Sequence, residues 1–195
     1  GYMQKALDLG IVVEFVLFCP FYNVYFGPVL WELSPLHPRN NVNGTEQAAA
    51  DGVLALNNPV LQSCLEKMTA RLVRELNDYP NLLIQVCNEP WNDAVPMDWH
   101  QRIADLIHLT EQNLPHRHLV SMDVACGHLR LDTPQSGISV YNFHYVLGQT
   151  AEDNHGLGLP IGMNETGFWG QADTTYRKQG WEFMLSGGAL YNNLD

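Results

Sequence analysis

Short apolar runs alternate along the chain with stretches of helical periodicity. Continuous apolar runs of this length are typical of strands buried on both faces. Six strands are predicted, at 11–18, 82–87, 118–122, 138–144, 159–163 and from 189 onward. Helical spacing predicts four helices, at 1–9, 59–78, 98–113 and 174–186. The alternation favours parallel βαβ units and an α/β fold, either a doubly wound sheet or a barrel.

A loop over 19–58 follows the first predicted strand and is rich in Pro, Asn and Gly. It is far longer than an ordinary connection, which indicates a functional role. Its segment 38–47, PRNNVNGTEQ, suits either a structured loop of Asx turns or the lip of a binding subsite that hydrogen-bonds hydroxyls. The residues do not separate these two interpretations.

Polar or aromatic residues follow every predicted strand. They are Cys19 to Asn23, Asn88 to Trp91, Asp123, His144 with Tyr145, Asn164 to Thr166, and Asn192 with Asn193. In a parallel barrel all strand C-termini open on one face, where the loops build the active site. No glycine-rich nucleotide motif follows any strand. The pattern therefore favours a (β/α)8 barrel over a nucleotide-binding sheet.

Two glutamates end apolar strands in similar surroundings. LLIQVCNEPW places Glu89 before Pro90, which is expected to hold Glu89 extended at the strand end. LPIGMNETGFWG places Glu165 at the end of a later strand. Two carboxylates, one protonated and one ionised, are what glycoside hydrolysis requires, and in retaining enzymes they lie about 5–5.5 Å apart.

The pair of motifs, with a histidine-containing strand between them, resembles glycoside hydrolase clan A, especially the cellulase-like family 5. The resemblance implies a (β/α)8 TIM barrel and retaining cleavage of β-glycosidic bonds in a poly- or oligosaccharide. It assigns Glu89 as acid/base and Glu165 as nucleophile. It also implies that Asn88 hydrogen-bonds the sugar 2-hydroxyl. No cofactor or metal is expected.

The sixth strand of family 5 carries His-x-Tyr, where the His contacts substrate and the Tyr contacts the nucleophile. His144 matches the first position, but Val146 stands where the Tyr is expected and Tyr145 lies one residue early. Strand alternation puts His144 and Tyr145 on opposite faces unless the strand ends or bulges there. Of these two substrate-binding candidates, His144 is therefore preferred.

The resemblance makes 11–18 the third strand of the barrel and the segment from 189 the eighth. Residues 1–195 are then expected to form a partial catalytic domain that covers about strands three to eight. The first two strands and the end of the eighth are expected to be missing. With them go an arginine on the second strand and an aromatic after the eighth, so the piece alone is expected to be incomplete as a catalyst.

Aromatic side chains near the strand ends are candidates for stacking on sugar rings. Trp91 and Trp169, each next to a glutamate motif, are interpreted as substrate-binding platforms. Trp31, in the long loop, suits a platform or ordinary packing equally. Trp99 and Trp181 lie in predicted helices and are expected in the core.

The composition of the chain limits which classes of molecule it is expected to bind. The chain is 46% hydrophobic, 16% charged and carries a formal net charge of -11, which disfavours a phosphate backbone as partner. No apolar run is long enough for a membrane span. A carbohydrate substrate is the expected partner, without nucleic acid or membrane. Secretion or a periplasmic location is compatible with the sequence, which fixes neither the location nor the oligomeric state.

The four cysteines are far apart and are expected to be isolated buried thiols. The eight histidines form no metal motif and are expected to be solvated or to cap helices. Glu14, inside a predicted strand, is more consistent with a structural ion pair than with a third acid of the site.

Two other functions compete with hydrolysis. The barrel could bind carbohydrate without cleaving it, with the glutamates only accepting hydrogen bonds from hydroxyls. A barrel lyase or aldolase is disfavoured, because it would need a strand lysine or several metal-binding carboxylates. The lysines of this sequence, Lys5, Lys67 and Lys178, all fall in predicted helices.

Overall fold

A computed structural model describes residues 1–21, 27–45, 49–90, 95–124 and 128–194. The chain divides into two compact units, Gly1–His118 (unit 1) and Leu119–Asp195 (unit 2). Among the described residues, no helix has the length and apolar character needed to cross a membrane.

Unit 1 contains two strands, which pair in parallel. They are β1 (Val13–Phe18) and β2 (Leu82–Cys87), with Val13 opposite Leu82 and Phe18 opposite Cys87. Its helices, in chain order, are α1 (Tyr2–Asp8), α2 (Val29–Leu33), α3 (Pro59–Leu76) and α4 (Met97–Glu111). β2 is buried along its whole length, as its sequence, apolar except for Gln85, favours.

The start of α3 follows from its first residues. The side chain of Asn58 caps the helix, with Oδ1 accepting from the Leu61 N–H at 3.0 Å, and Pro59 fills a position where a missing N–H costs nothing. Helix α3 packs on α4. Trp99 of α4 is fully buried there, and its indole N–H donates to Gln62 Oε1 at 2.9 Å, so the one polar atom of this core side chain is satisfied.

Unit 2 contains four parallel strands that lie side by side in chain order. They are β3 (Leu119–Asp123), β4 (Val140–His144), β5 (Ile161–Glu165) and β6 (Leu190–Tyr191). The short α5 (Thr150–Asp153) follows β4, and α6 (Asp173–Leu185) follows β5. Gly162 faces Asn142 across β4 and β5, where an added Cβ would lie 2.2 Å from Asn142 Oδ1, so any other residue would require the Asn142 side chain to move.

The predicted elements are confirmed to within a few residues at their ends, and all three lysines lie in helices. The long loop differs from expectation because it contains α2 and a 3-10 turn at Ala50–Gly52. Trp31 of α2 packs edge-on against Phe21, with ring centroids 5.0 Å apart, and is tilted on His37. These contacts favour the packing interpretation of Trp31.

Trp99 is in the core as expected, but the same expectation for Trp181 is wrong, since Trp181 is 65% exposed. The buried positions of α6 are Tyr176 and Phe183, seven residues apart and therefore on one face. At about 100° per residue, Trp181 points away from that face.

The cysteines and two of the histidines also correct the sequence analysis. Cys87 is buried as expected, but Cys19 is exposed and Cys64 is partly exposed; Cys126 lies outside the described residues. His100 and His118 are buried rather than solvated. His100 lies against Trp99, neither of its ring nitrogens has a hydrogen-bond partner among the described residues, and burial lowers its pKa to about 4.

His118 forms a buried ion pair with Glu111. Its Nδ1 lies 2.5 Å from Glu111 Oε1 and its Nε2 lies 2.9 Å from the Tyr79 carbonyl oxygen. The backbone N–H of His118 donates to Glu111 Oε2, and Asn77 donates to Oε1. Burial lowers the pKa of His118, but the hydrogen bonds to Glu111 and Tyr79 and the charge of Glu111 outweigh it, so the pKa is raised overall. Both ring nitrogens face acceptors, as an imidazolium requires.

Candidate active site

Glu89 follows the end of β2 in unit 1. The Asn88 N–H still donates to the Phe18 carbonyl at 2.9 Å, which extends the β1–β2 ladder by one bond. The next residue, Glu89, has φ of 41° and is half-buried. The expected extended conformation at Glu89 is therefore wrong, because the chain turns at Glu89 itself as soon as the ladder ends.

Glu165 is the last residue of β5 in unit 2, and its side chain is 24% exposed. The Tyr145 hydroxyl donates to Glu165 Oε1 at 2.5 Å. A phenol hydrogen bond to a carboxylate is charge-assisted and directional, so it fixes the orientation of this side chain. The carboxylate is thus held at a strand end with one oxygen, Oε2, not used by Tyr145.

Tyr145 reaches Glu165 because β4 stops before it. The β4–β5 register shifts between Asn142 and His144, β4 ends at His144, and Tyr145 has φ of 55°. Its backbone N–H donates to the Glu165 carbonyl at 3.1 Å. The strand alternation that favoured His144 over Tyr145 does not extend past the strand end, and both side chains lie near Glu165.

His144 is buried among polar groups of unit 2. Its Nε2 lies 3.1 Å from Asp123 Oδ2 and 2.9 Å from Asn164 Oδ1, and its Nδ1 lies 3.9 Å from Glu165 Oε2. Asp123 and His144 are almost completely buried, whereas Glu165 reaches solvent. The sequence predicts Asp123 at a strand end but not its contact with His144, because that contact depends on β3 and β4 pairing in register.

Three residues other than glycine have a positive φ among the described residues: Glu89 at 41°, Tyr145 at 55° and Phe168 at 64°. This conformation is costly for residues with a Cβ and tends to occur at functional sites. Two of the three, Glu89 and Tyr145, are candidate site residues from the sequence. The third, Phe168, comes three residues after Glu165.

Phe168 was missed by the sequence analysis. It is 82% exposed and stacks on Tyr145 with ring centroids 5.9 Å apart. The next residue, Trp169, is 59% exposed, and its backbone N–H donates to the Tyr176 hydroxyl, which donates in turn to the Gly170 carbonyl. Helix α6 thus braces a loop that carries two exposed aromatic side chains.

The sequence-predicted site residues fall into three groups. Asn88 and Glu89 lie in unit 1 at the end of β2. His144, Tyr145 and Glu165 come together in unit 2, which also carries Trp169 on the following loop. Trp91 lies outside the described residues.

The fold is that of a partial (β/α)8 barrel of the α/β class. The chain is similar to an exo-β-1,4-mannosidase, Op5Man5, from Opitutaceae bacterium strain TAV5, with a TM-score of 0.58 and 15% identity. It is also similar to endo-glycoceramidase II from Rhodococcus sp., solved as a complex with a cellobiose-like imidazole, with a TM-score of 0.52 and 13% identity. No protein-family model matches the sequence, and comparison with curated proteins gives no match.

These similarities cover 98% and 97% of this chain but 47% of the mannosidase and 59% of the glycoceramidase. The chain therefore spans about half the length of the two solved structures. The expected fold class, a TIM barrel represented in part, is confirmed, and the fold is one that glycosidases use.

Proposed function

We propose that the protein containing this chain is a retaining glycoside hydrolase that cleaves β-glycosidic bonds of a poly- or oligosaccharide by double displacement. The observation that carries the proposal is the hydrogen bond from the Tyr145 hydroxyl to Glu165 Oε1. It orients a partly exposed carboxylate at the end of a parallel strand, where barrel enzymes carry their catalytic groups. The glycosidase fold and the Asn88-Glu89 motif on another strand support it.

In the first step, Glu165 Oε2 attacks the anomeric carbon and forms a glycosyl ester. The bond from that carbon to the leaving oxygen breaks, and the carboxylic acid of Glu89 gives its proton to the leaving oxygen. Tyr145 holds the other oxygen of Glu165 during the attack. The leaving sugar departs as a neutral alcohol.

In the second step, the Glu89 carboxylate takes a proton from a water molecule, and the oxygen of that water attacks the anomeric carbon. The ester bond to Glu165 breaks, and the carboxylate is restored with net retention at the sugar. Asn88 is assigned to the sugar 2-hydroxyl. Trp169, with its ring exposed, and Trp91 are assigned to stacking on the C–H faces of sugars.

Replacement of Glu165 by Ala tests the nucleophile. Hydrolysis of aryl β-glycosides by the whole protein should fall more than about 10⁴-fold. Added azide should then restore turnover and give the α-glycosyl azide, because azide takes the place of the missing carboxylate. Glu182→Ala, an exposed glutamate on α6 paired with Lys178, is the matched control and should retain the rate. An undiminished rate in Glu165→Ala contradicts the assignment.

Replacement of Glu89 by Ala tests the acid/base. Substrates with activated aryl leaving groups do not need protonation, so their cleavage should survive better than that of unactivated oligosaccharides. Azide should here give the β-glycosyl azide. An equal loss on both substrate classes contradicts the role. Sugar binding by the whole protein without product after long incubation would instead support the non-catalytic alternative.

A further inference from the structure

Asp123 is a fully buried carboxylate at the end of β3 that the proposed mechanism does not use. Its Oδ2 lies 3.1 Å from Nε2 of His144, whose side chain is only 1% exposed. Burying a carboxylate beside an imidazole is costly unless the two groups pair. The position of this pair, next to Glu165 rather than in a remote part of the core, points to a role at the site.

The neighbours of His144 determine where its proton lies. Nε2 faces two acceptors, Asp123 Oδ2 and Asn164 Oδ1, and it can bond to either of them only by donating. The Nε2–H form of the ring is therefore selected. The other nitrogen, Nδ1, then faces Glu165 Oε2 at 3.9 Å.

The backbone keeps this arrangement in place. His144 and Glu165 are register partners on β4 and β5, and Tyr145 N–H donates to the Glu165 carbonyl. β3 and β4 are paired with Asp123 opposite Asn142, two residues before His144. Asp123 and Glu165 thus approach the ring from the two strands that flank β4.

We infer that Asp123 is a positioning residue that holds the proton of His144 on Nε2 and so keeps Nδ1 directed at Glu165. A carboxylate can only accept, so it fixes the tautomer, as a carboxylate does when it accepts from the second ring nitrogen of a metal-binding histidine. The inference rests on the proposed function in one respect, because it takes Glu165 to be the nucleophile. Protonation of Nδ1 makes the His144 ring an imidazolium and places a positive charge beside the Glu165 carboxylate. Loss of that proton removes the charge.

The titratable side chains that unit 2 places against the His144 ring include Asp123 on β3, Glu165 on β5 and Tyr145 after β4. The Tyr145 ring meets the His144 ring edge-on, with centroids 6.1 Å apart. Asp123 and Glu165 both favour a protonated ring, but they act on different nitrogens. Removal of Asp123 should therefore change the tautomer, and removal of Glu165 should not.

The test is ¹⁵N NMR of the histidine ring nitrogens in the whole protein, with His144→Gln used to assign the signals. In the unaltered chain, the neutral form of His144, reached by raising the pH, should carry its proton on Nε2, and the proton that the imidazolium loses should come from Nδ1. In Asp123→Asn, two side-chain amides, the introduced one and that of Asn164, face Nε2, and each can turn its NH₂ as well as its oxygen toward the ring. Without a carboxylate that can only accept, the neutral ring should become a mixture of tautomers and should lose its proton at lower pH. The Nδ1–H form in the unaltered chain overturns the inference without any variant.

Two further variants complete the design. Ser121→Ala removes a fully buried polar group two residues earlier on β3 and should leave the His144 signals unchanged. Glu165→Gln should shift the titration but keep the Nε2–H tautomer. An Asp123→Asn chain that is folded by circular dichroism and has unchanged His144 tautomer and titration overturns the inference. Because none of these readouts requires turnover, a failure of glycoside hydrolysis would count against the proposed function alone.

Discussion

Two buried histidines in this protein each contact a carboxylate, yet the two pairs differ in what the second ring nitrogen faces. In unit 1, His118 bonds Glu111 through Nδ1 and the Tyr79 carbonyl through Nε2, so both nitrogens end in the protein interior. In unit 2, His144 meets Asp123 through Nε2, while Nδ1 faces Glu165, which is 24% exposed.

The surroundings of the second nitrogen indicate that the Glu111–His118 pair stabilises the fold and that the Asp123–His144 pair serves the candidate site. Saturation of both nitrogens of His118 leaves nothing for a substrate or a reacting group. The His144 pair uses one nitrogen for anchorage and presents the other to a candidate nucleophile. The role of a buried histidine–carboxylate pair can therefore be assigned only when the groups that face both ring nitrogens are known.

The largest effect is expected from breaking the unit 1 pair. Glu111→Gln leaves the His118 charge without its partner, and the free energy of unfolding should fall by about 3–5 kcal/mol. Urea unfolding measures the loss. Glu66→Gln, which removes a surface ion pair with Arg102, is the control and should cost no more than about 1 kcal/mol. Equal losses in the two variants would show that the buried pair is not special.

A third histidine, His100, has no hydrogen-bond partner for either ring nitrogen within the part of the chain that the structure describes. His100 has a pKa lowered to about 4 from 6.5, so unfolding takes up a proton between these values and stability falls as the pH is lowered from 6.5 to 4. His100→Leu removes this loss, and its stability advantage over the unaltered chain should grow across that range toward about 3 kcal/mol near pH 4. An advantage that does not change with pH would mean that His100 is not buried in its neutral form.

The unit 2 site should respond in activity rather than in stability. Tyr145→Phe removes the hydroxyl that orients Glu165, and kcat/KM on aryl β-glycosides should fall about 10-fold to 100-fold, the equivalent of a hydrogen bond to a charged group. Tyr141→Phe is the matched control, since that hydroxyl bonds Gln135 instead. Loss of activity in Tyr141→Phe alone would reverse the assignment of the two tyrosines.

The smallest effect is the pH dependence of the unit 1 pair. The pKa of His118 is raised, so the pair contributes fully below the unfolded value of about 6.5 and loses its contribution as the pH rises through the folded value. The difference in unfolding free energy between the unaltered chain and His118→Gln should therefore shrink with rising pH. His116, whose ring lies 6.2 Å from that of His118, is the other titratable group to control for, with His116→Gln. A difference that grows with pH contradicts the charged pair.

Much of the fold was predictable because parallel strands buried on both faces have mostly apolar sequences, as in LLIQVC over 82–87. The strand ends also marked Glu165 and His144. The contact between Tyr145 and Glu165 could not be predicted, because it depends on where β4 stops. Tyr145 reaches Glu165 only because β4 ends at His144 and Tyr145 itself has a positive φ.

Contacts between distant segments were also beyond the sequence pattern. The Asn77–Glu111–His118 network joins the end of α3 to the end of α4 and the residues after it. The strand predicted from residue 118 gives no indication of which carboxylate His118 meets. The exposure of Trp181 was misjudged because aromatic residues in helices are usually packed, whereas α6 buries only one narrow face. The burial of His118 and the exposure of Trp181 both depend on which other segments pack against them, and the residue type alone does not determine this.

The proposed function requires Glu165 to be the nucleophile of a retaining glycosidase. The most direct measurement is incubation of the whole protein with an activated 2-deoxy-2-fluoro-β-glycoside, which slows the breakdown of the glycosyl ester, followed by peptide mass spectrometry. We expect a single fluoroglycosyl adduct on Glu165, which should be absent from Glu165→Ala. Turnover of β-glycosides with the adduct on another carboxylate, or with inversion at the anomeric carbon, would contradict it.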